Sequence, residues 1–381
     1  MRIEVRDSLE EVDCAAWNAL NRDNSPFLRH EFFRALECNG CLGDAHGWFP
    51  RYFLQYTDDD QLIAAAPGFI KTNSYGEFVF DWSWAEAYHK HGIRYYPKMV
   101  VSVPYTPVTG QRLLIAESYD YEETARTLHA TILNFCQEQK LSGLHWLFTL
   151  DEETDLLESD GLMRRTGCQY HWRNNDYTGF DDYLAEMRAK KRKQVKRERR
   201  RAIEFGISFE LKHGNELNEY EIGKAHGYYV STFDKKWGEA SLTRGFFEQV
   251  AHTMGEQLVV VFAKKDDQII ACSIMFRSDD ALFGRYWGCE AEYNALHFET
   301  CFYQGIEYCI ANNIQRFEPG AQGEHKIWRG FLPTKTWSAH WIADDQFRDA
   351  IVRYLNQETD MMEEQSQYLQ RLSPFHREHL E

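Results

Sequence analysis

Apolar and polar positions along the chain switch between a helical and a strand period, and the switching occurs twice in the same order. Residues 27–37, with Phe27, Leu28, Phe32, Phe33 and Leu36 on one face, predict a helix. The runs 49–56 and 61–70 flank the turn signal Asp58-Asp59-Asp60 and predict a β-hairpin. After an aromatic-rich stretch, 73–112, the spacing predicts a helix over about 122–139 and a strand from Leu144 to Leu150. Further on come a helix at 243–253, a hairpin of 258–264 and 268–277 around Asp266-Asp267, a strand at 281–287, a helix at 296–312 and a strand at 314–318. This recurrence at nearly one offset predicts a duplicated α/β unit, with 73–112 inserted or elaborated in the first copy. Between the copies, Leu156 to Gly161 closes a short helix, Gly167 to Trp172 reads as a strand, and Gly179-Phe180-Asp181 opens a helix that runs to Gly206, its C-terminal stop. The expected units are therefore 1–177 and 178–381, and the second ends in a helix from Phe347 to Leu372.

Composition supports that division. A chain of 381 residues is long for one core, and 43% hydrophobic with 27% charged residues excludes a disordered or fibrous chain. No apolar run approaches the roughly 18 residues of a membrane span, the longest tight one being Leu258 to Ala263. Met1 to Arg6 alternates like a first strand and lacks the continuous apolar core of a signal peptide, so the expected location is the cytoplasm. Nine scattered cysteines predict reduced thiols rather than a disulfide framework. The formal net charge of −16 opposes nucleic acid and anionic lipid over most of the surface. One segment reverses it: Arg188 to Arg201 holds ten basic residues against Glu198 alone. Two readings stand, a solvated face paired with carboxylates or a dock for phosphates at Lys191, Arg192 and Lys196. The partner in the second reading is tRNA, a nucleotide-linked sugar or a pantetheine carrier such as acyl carrier protein. Aromatic interleaving is missing, which excludes single-strand stacking on this element.

Several familiar chemistries lack their signatures. There is no Gly-Lys-Ser/Thr phosphate loop, no dinucleotide glycine pattern and no Gly-x-Ser-x-Gly elbow. Cys38-x-x-Cys41 has no second pair and His89-x-His91 no carboxylate partner, so no metal is expected. The densest stretch is Glu318 to Pro333, whose three glycines and two prolines predict a loop at a strand end, where α/β proteins place their sites. Glu318, Glu324 and His325 are candidate bases there, Lys326 and Arg329 candidate cations, and Gly323 and Trp328 candidate substrate contacts. A second candidate wall lies in the aromatic stretch, at Tyr75, Asp81, Trp82, Lys98 and Tyr105, where flat rings with polar tips suit either a ligand groove or a domain interface.

The stretches Ser25-Pro26-Phe27-Leu28, Tyr96-Pro97-Lys98, Val103-Pro104-Tyr105-Thr106-Pro107-Val108-Thr109-Gly110 and Gly320-Ala321-Gln322-Gly323-Glu324-His325-Lys326 resemble the bacterial FemAB-like family of peptidoglycan biosynthesis or recognition proteins. The resemblance implies two tandem GNAT-type units, each a mixed twisted sheet flanked by helices, and so an α/β (α+β) fold. It also implies a basic segment opening the second unit and a late-loop Lys followed by Gly at the substrate, positions matched by Lys326 and Gly330. The activity implied is transfer of an acyl or aminoacyl group from an activated donor to an amine; the alternative is a binding module without turnover. No cofactor is firmly implied, because the GNAT turn for coenzyme A pyrophosphate, Arg/Gln-x-x-Gly-x-Gly/Ala, is only approached by Arg164-x-x-Gly167-x-Gln169 and Arg285-x-x-Gly288-x-Glu290. The donor thus stays open between acyl-CoA, an acyl carrier and aminoacyl-tRNA.

Overall fold

The computed structural model describes residues 1–234, 239–291 and 293–376. Its strands in chain order are β1 (Arg2–Arg6), β2 (Trp48–Tyr56), β3 (Leu62–Lys71), β4 (Lys98–Val101), β5 (Leu114–Ile115), β6 (Gly143–Thr149), β7 (Met163–Arg173), β8 (Ile207–His213), β9 (Leu258–Lys265), β10 (Gln268–Arg277), β11 (Ala281–Cys289), β12 (Arg316–Glu318) and β13 (Leu332–Ile342). Two compact units are formed, Met1–Cys168 with Lys335–Glu364, and Gln169–Thr334 with the chain from Gln365 onward. The first has the strand order β1-β2-β3-β4-β6-β13, with β5 beside β3, and the second β8-β9-β10-β11-β12-β7. In both, every neighbouring pair of these is antiparallel except one: β4 with β6, and β11 with β12. Each parallel pair is joined by a helix, Tyr121–Glu138 in the first unit and the helical run from Leu296 to Ala311 in the second, as a parallel connection requires. The tandem arrangement of like units is thus the one expected.

Local chemistry accounts for the elements. Asp266 and Asp267 both take positive φ, which a two-residue turn of the right twist needs, and so close β9 onto β10. Asp120 caps the helix Tyr121–Glu138 by accepting the Glu123 N–H at 2.8 Å. Phe53, Met99, Leu128, Ile132 and Trp146 fill one core, and Trp172, Val195, Leu282, Phe302, Phe317 and Phe331 the other.

Three features differ from the sequence reading. The boundary does not fall once near residue 177; the chain passes between units at 168/169, 334/335 and 364/365, because β13 pairs with β6 and the following helix, Asp345–Gln370, goes with the same unit as far as Glu364. The stretch 73–112 is not wholly an insertion, since Lys98–Val101 is the sheet strand corresponding to β11, too short an apolar run to register by period. The basic helix is not continuous with the helix before it: Phe180–Ala185 ends, Arg188 is extended, and Ala189–Glu204 begins anew. Among the described residues no helix is long and apolar enough to cross a membrane.

Candidate functional site

In the second unit β11 and β12 pair only over Ala281–Phe283 and Arg316–Glu318. Beyond that point β11 continues along β10 to Cys289, while β12 stops and the chain turns at Pro319 into the glycine-rich loop. The loop contains a 3-10 helix, Glu324–Arg329, ended by Gly330 at φ 84. A side chain at Gly330 would stand 2.4 Å from the Tyr183 hydroxyl, so this position requires glycine on both backbone and steric grounds.

The five candidate catalytic residues separate into different environments. Lys326 is buried, and its ammonium donates to the Gly320 carbonyl at 2.7 Å. Among the described residues no carboxylate lies within ion-pair distance of it, so two of its three N–H donors are uncommitted. Burial pulls its pKa down to about 8, with the nearby Cys301 thiol opposing the shift. Glu318 is also buried, with Arg316 Nε 3.0 Å from one oxygen, His171 Nε2 3.7 Å from the other, and neither carboxylate oxygen in a well-formed hydrogen bond. Burial pushes Glu318 up to about 7, opposed by Arg316, Arg173 and Arg285, while His171 falls to about 3 for the same reason. Two groups with titration points near neutrality therefore flank the place where the strands part.

Arg329 is differently placed from a free oxyanion donor. Its Nε and Nη2 grip Glu198 at 3.1 and 2.8 Å, its Nη1 donates to the His325 carbonyl at 2.8 Å, and its guanidinium lies 3.4 Å from the centre of the Phe298 ring. Tyr303 donates a further hydrogen bond to Glu198. Arg329 thus fastens the loop to the basic helix through the single acid of that segment. His325 and Glu324 reach the surface, and partial desolvation of the His325 ring against Phe298 and Phe302, then Arg329 and Lys326 nearby, lowers its pKa. Trp328 is exposed with Lys191 Nζ 4.3 Å from its ring, while Gly323 lies in the loop ahead of Glu324.

On the basic helix, Arg199 is held by Glu299 and Glu307 and Lys196 by Asp181 at 3.1 Å, so part of the charge is internally paired. Arg192 reaches the Ala185 carbonyl at 3.4 Å. Arg188, Lys190, Lys193, Lys196, Arg197 and Arg200 remain exposed.

The aromatic stretch of the first unit divides into a rim and a buried cluster. Tyr75 and Trp82 are exposed, with ring centres 5.1 Å apart, whereas Tyr105 is buried and donates to the Cys41 carbonyl at 2.7 Å. Lys98 is fully buried and donates to Glu77 at 2.8 Å, to Ser74 at 3.2 Å and to Asp81, which also accepts from Tyr95 at 2.5 Å. Nearby His145 and His340 share a 2.8 Å hydrogen bond between their Nδ1 atoms. Sequence reasoning missed Glu198, His171, Lys71, Glu77 and the histidine pair. The lone acid among ten cations was the one available signal for Glu198; the others carry none without the fold.

The GNAT coenzyme A turn finds no fit here. Arg164 to Gln169 lies inside β7, and Arg285 to Gly288 inside β11, rather than in a turn ahead of a helix. Gly288 is small because a side chain would meet the Tyr228 carbonyl at 2.1 Å, which is a packing reason. The corresponding helix of the first unit begins with Glu122 and Glu123, which repel phosphate.

The model of the FemAB-like family, described as peptidoglycan biosynthesis/recognition, matches residues 8–377. No curated protein matches the chain. Among solved structures, FemX is 10% identical and covers 92% of this chain and 100% of its own, with a TM-score of 0.56. The C-terminal domain of a putative lysylphosphatidylglycerol synthetase from Agrobacterium fabrum is 8% identical, covering 91% and 95%, with a TM-score of 0.52. L-PGS from Bacillus licheniformis is 10% identical, covering 84% and 94%, with a TM-score of 0.51. At these identities the likeness is one of fold.

Proposed function

The chain belongs to the FemAB-like family of peptidoglycan biosynthesis or recognition proteins, and from that premise we propose that its second unit transfers an acyl or aminoacyl group from an activated ester or thioester to an amine of a cell-wall precursor. The observation that carries this reading is the Lys326 ammonium, buried where β11 and β12 part and, among the described residues, with two donors uncommitted. In the reaction the amine nitrogen attacks the carbonyl carbon, a C–N bond forms, and charge collects on the former carbonyl oxygen. Lys326 supplies fixed donors for that oxyanion in a site of low dielectric. Glu318, poised near neutrality, accepts the proton the nitrogen must lose, and the C–O or C–S bond then breaks with the leaving oxygen or sulfur taking a proton. Arg329 acts as a positioning residue, because its donors are spent on Glu198 and the loop carbonyl. Glu324 and His325, being exposed, are the groups able to meet the acceptor, with Gly323 and Trp328 beside them.

The donor that best suits the chain is one carried on tRNA or on acyl carrier protein, since the coenzyme A turn does not fit and the exposed cations from Arg188 to Arg200 offer a polyanion its dock. The test is a transfer assay on the purified chain with aminoacyl-tRNA, acyl carrier and acyl-CoA donors and a stem peptide bearing a free amine. Product from one of the first two, lost in Lys326→Ala, is expected. A stem peptide that binds without turnover under any donor would favour the recognition module instead.

A further inference from the structure

A groove of about 750 Å³ opens in the first unit where β4 and β6 begin and β13 ends, beside the close of the helix Tyr121–Glu138 and the start of the helix Asp345–Gln370. Because β4 and β6 run parallel, the groove lies at their amino ends, away from the carboxyl ends where α/β sheets take their substrates. Its size falls in the range of small-molecule sites, roughly 300–1,000 Å³. Tyr96 and Trp341, both half-buried, supply flat rings to it, and Ser74 fixes the Tyr96 hydroxyl at 2.8 Å. Charge enters the lining through Arg94, Lys140 and Arg348 against Asp344. The acid and one cation are spent. Asp344 Oδ1 accepts from the Gln346 and Phe347 N–H groups at 3.0 and 3.1 Å, capping the helix, while Arg348 donates to the Ile342 carbonyl at 2.9 and 2.7 Å and pairs with Asp345 at 2.9 Å. Arg94 and Lys140 are exposed, and among the described residues neither side chain has a hydrogen bond or ion pair.

Lys140 also stands at a costly backbone position. The helix Tyr121–Glu138 closes with the Leu141 N–H on the Cys136 carbonyl at 2.9 Å and the Lys140 N–H on the Gln137 carbonyl at 3.1 Å, a stop whose left-handed residue is ordinarily glycine. Here it is Lys140, at φ 53. A lysine one residue earlier would serve the negative helix end without that strain, so the helix alone does not account for the choice. In a chain of net charge −16, a ring-lined groove with two uncommitted cations selects anions. Two cations match a phosphate monoester, which carries close to two charges near neutral pH, and the flat rings match a flat heterocycle. We propose that this groove binds a mononucleotide, its phosphate on Arg94 and Lys140 and its base against Tyr96 and Trp341. The site uses residues of the first unit alone and does not depend on transfer chemistry in the second.

Calorimetry on the full chain tests it, with AMP and UMP as ligands, the matching nucleosides as rings without the charge and inorganic phosphate as the charge without a ring. At least one nucleotide should bind, and its nucleoside and phosphate should each bind at least tenfold more weakly. No binding of either nucleotide, or equal binding of a nucleoside or of phosphate, overturns the proposal. Arg94→Gln and Lys140→Gly should each weaken the nucleotide at least tenfold, and Lys140→Gly should melt at or above the wild-type temperature because glycine relieves the positive φ. Wild-type affinity in both variants equally overturns it. Lys193→Glu, on the basic helix, should leave nucleotide affinity unchanged; a loss there in place of the losses at Arg94 and Lys140 puts the phosphate on that helix and is a negative result for the groove.

Discussion

Two cations six and nine residues after Gly320, Lys326 and Arg329, illustrate how burial alone does not assign a role. Lys326 and Arg329 are 4% and 3% exposed, yet Arg329 has a bidentate carboxylate and Lys326, among the described residues, has none. Removing Arg329 strands the buried Glu198 charge, so Arg329→Met should lower stability by about 3–5 kcal/mol, read as a large drop in melting temperature. Lys326→Ala should behave in the opposite way, lowering kcat by about 10²-fold with nearly unchanged melting, because an unpaired buried ammonium contributes little to stability. The pair Glu318 and Lys326 also predicts a pH profile. Transfer needs Glu318 ionised, so the rate climbs through about pH 7, and Lys326 charged, so it falls above about pH 8. Glu318→Gln should abolish the acidic limb. Its effect on stability has a definite sign: a carboxyl whose pKa rises on folding contributes stability at low pH that is lost as pH climbs through about 7, so the variant should melt higher than wild type at pH 8 and not at pH 5.

At the scale of elements, the loop Glu324–Arg329 and the basic helix Ala189–Glu204 are joined by Arg329 with Glu198 and by Lys191 over Trp328, and Tyr303, from the helical run Leu296 to Ala311, donates to the same Glu198. The helix therefore serves as the wall against which the loop is held, while its other face keeps exposed charge. Charge reversal of Lys191, Arg192 and Lys196 should weaken binding of tRNA or acyl carrier protein and flatten its salt dependence in a binding titration, an outcome that unchanged affinity would contradict. The loop's stop is equally specific. Gly330→Ala forces a side chain into positive φ against Tyr183, and should cost about 2 kcal/mol or more in denaturant unfolding.

For the whole molecule, the chain's return at β13 means that neither half of the sequence is a complete unit. Ala339 and Ile342, both buried, belong to cores built from residues of the first unit, and His340 completes the hydrogen bond to His145. A fragment of residues 1–177 exposes the β6 edge and these apolar contacts, and should lack a cooperative melt. Appending 335–364 through a linker should restore one, as followed by circular dichroism.

Periodicity alone determined the duplicated order of helix, hairpin, helix and strand, because side-chain alternation and helical spacing are local properties that the residues carry with them. It also marked Glu318 to Pro333 as a loop and Arg188 to Arg201 as exceptional, since glycine, proline and charge act where they stand. Only the tertiary structure decided that β13 completes the sheet of the first unit, that Lys98–Val101 is a core strand, and which of the clustered ionisable residues are spent. Glu198 against Arg329 and Lys98 against Glu77 are pairings across folded elements, and the burial that moves Lys326 and Glu318 toward neutrality exists only once the surrounding elements have excluded water.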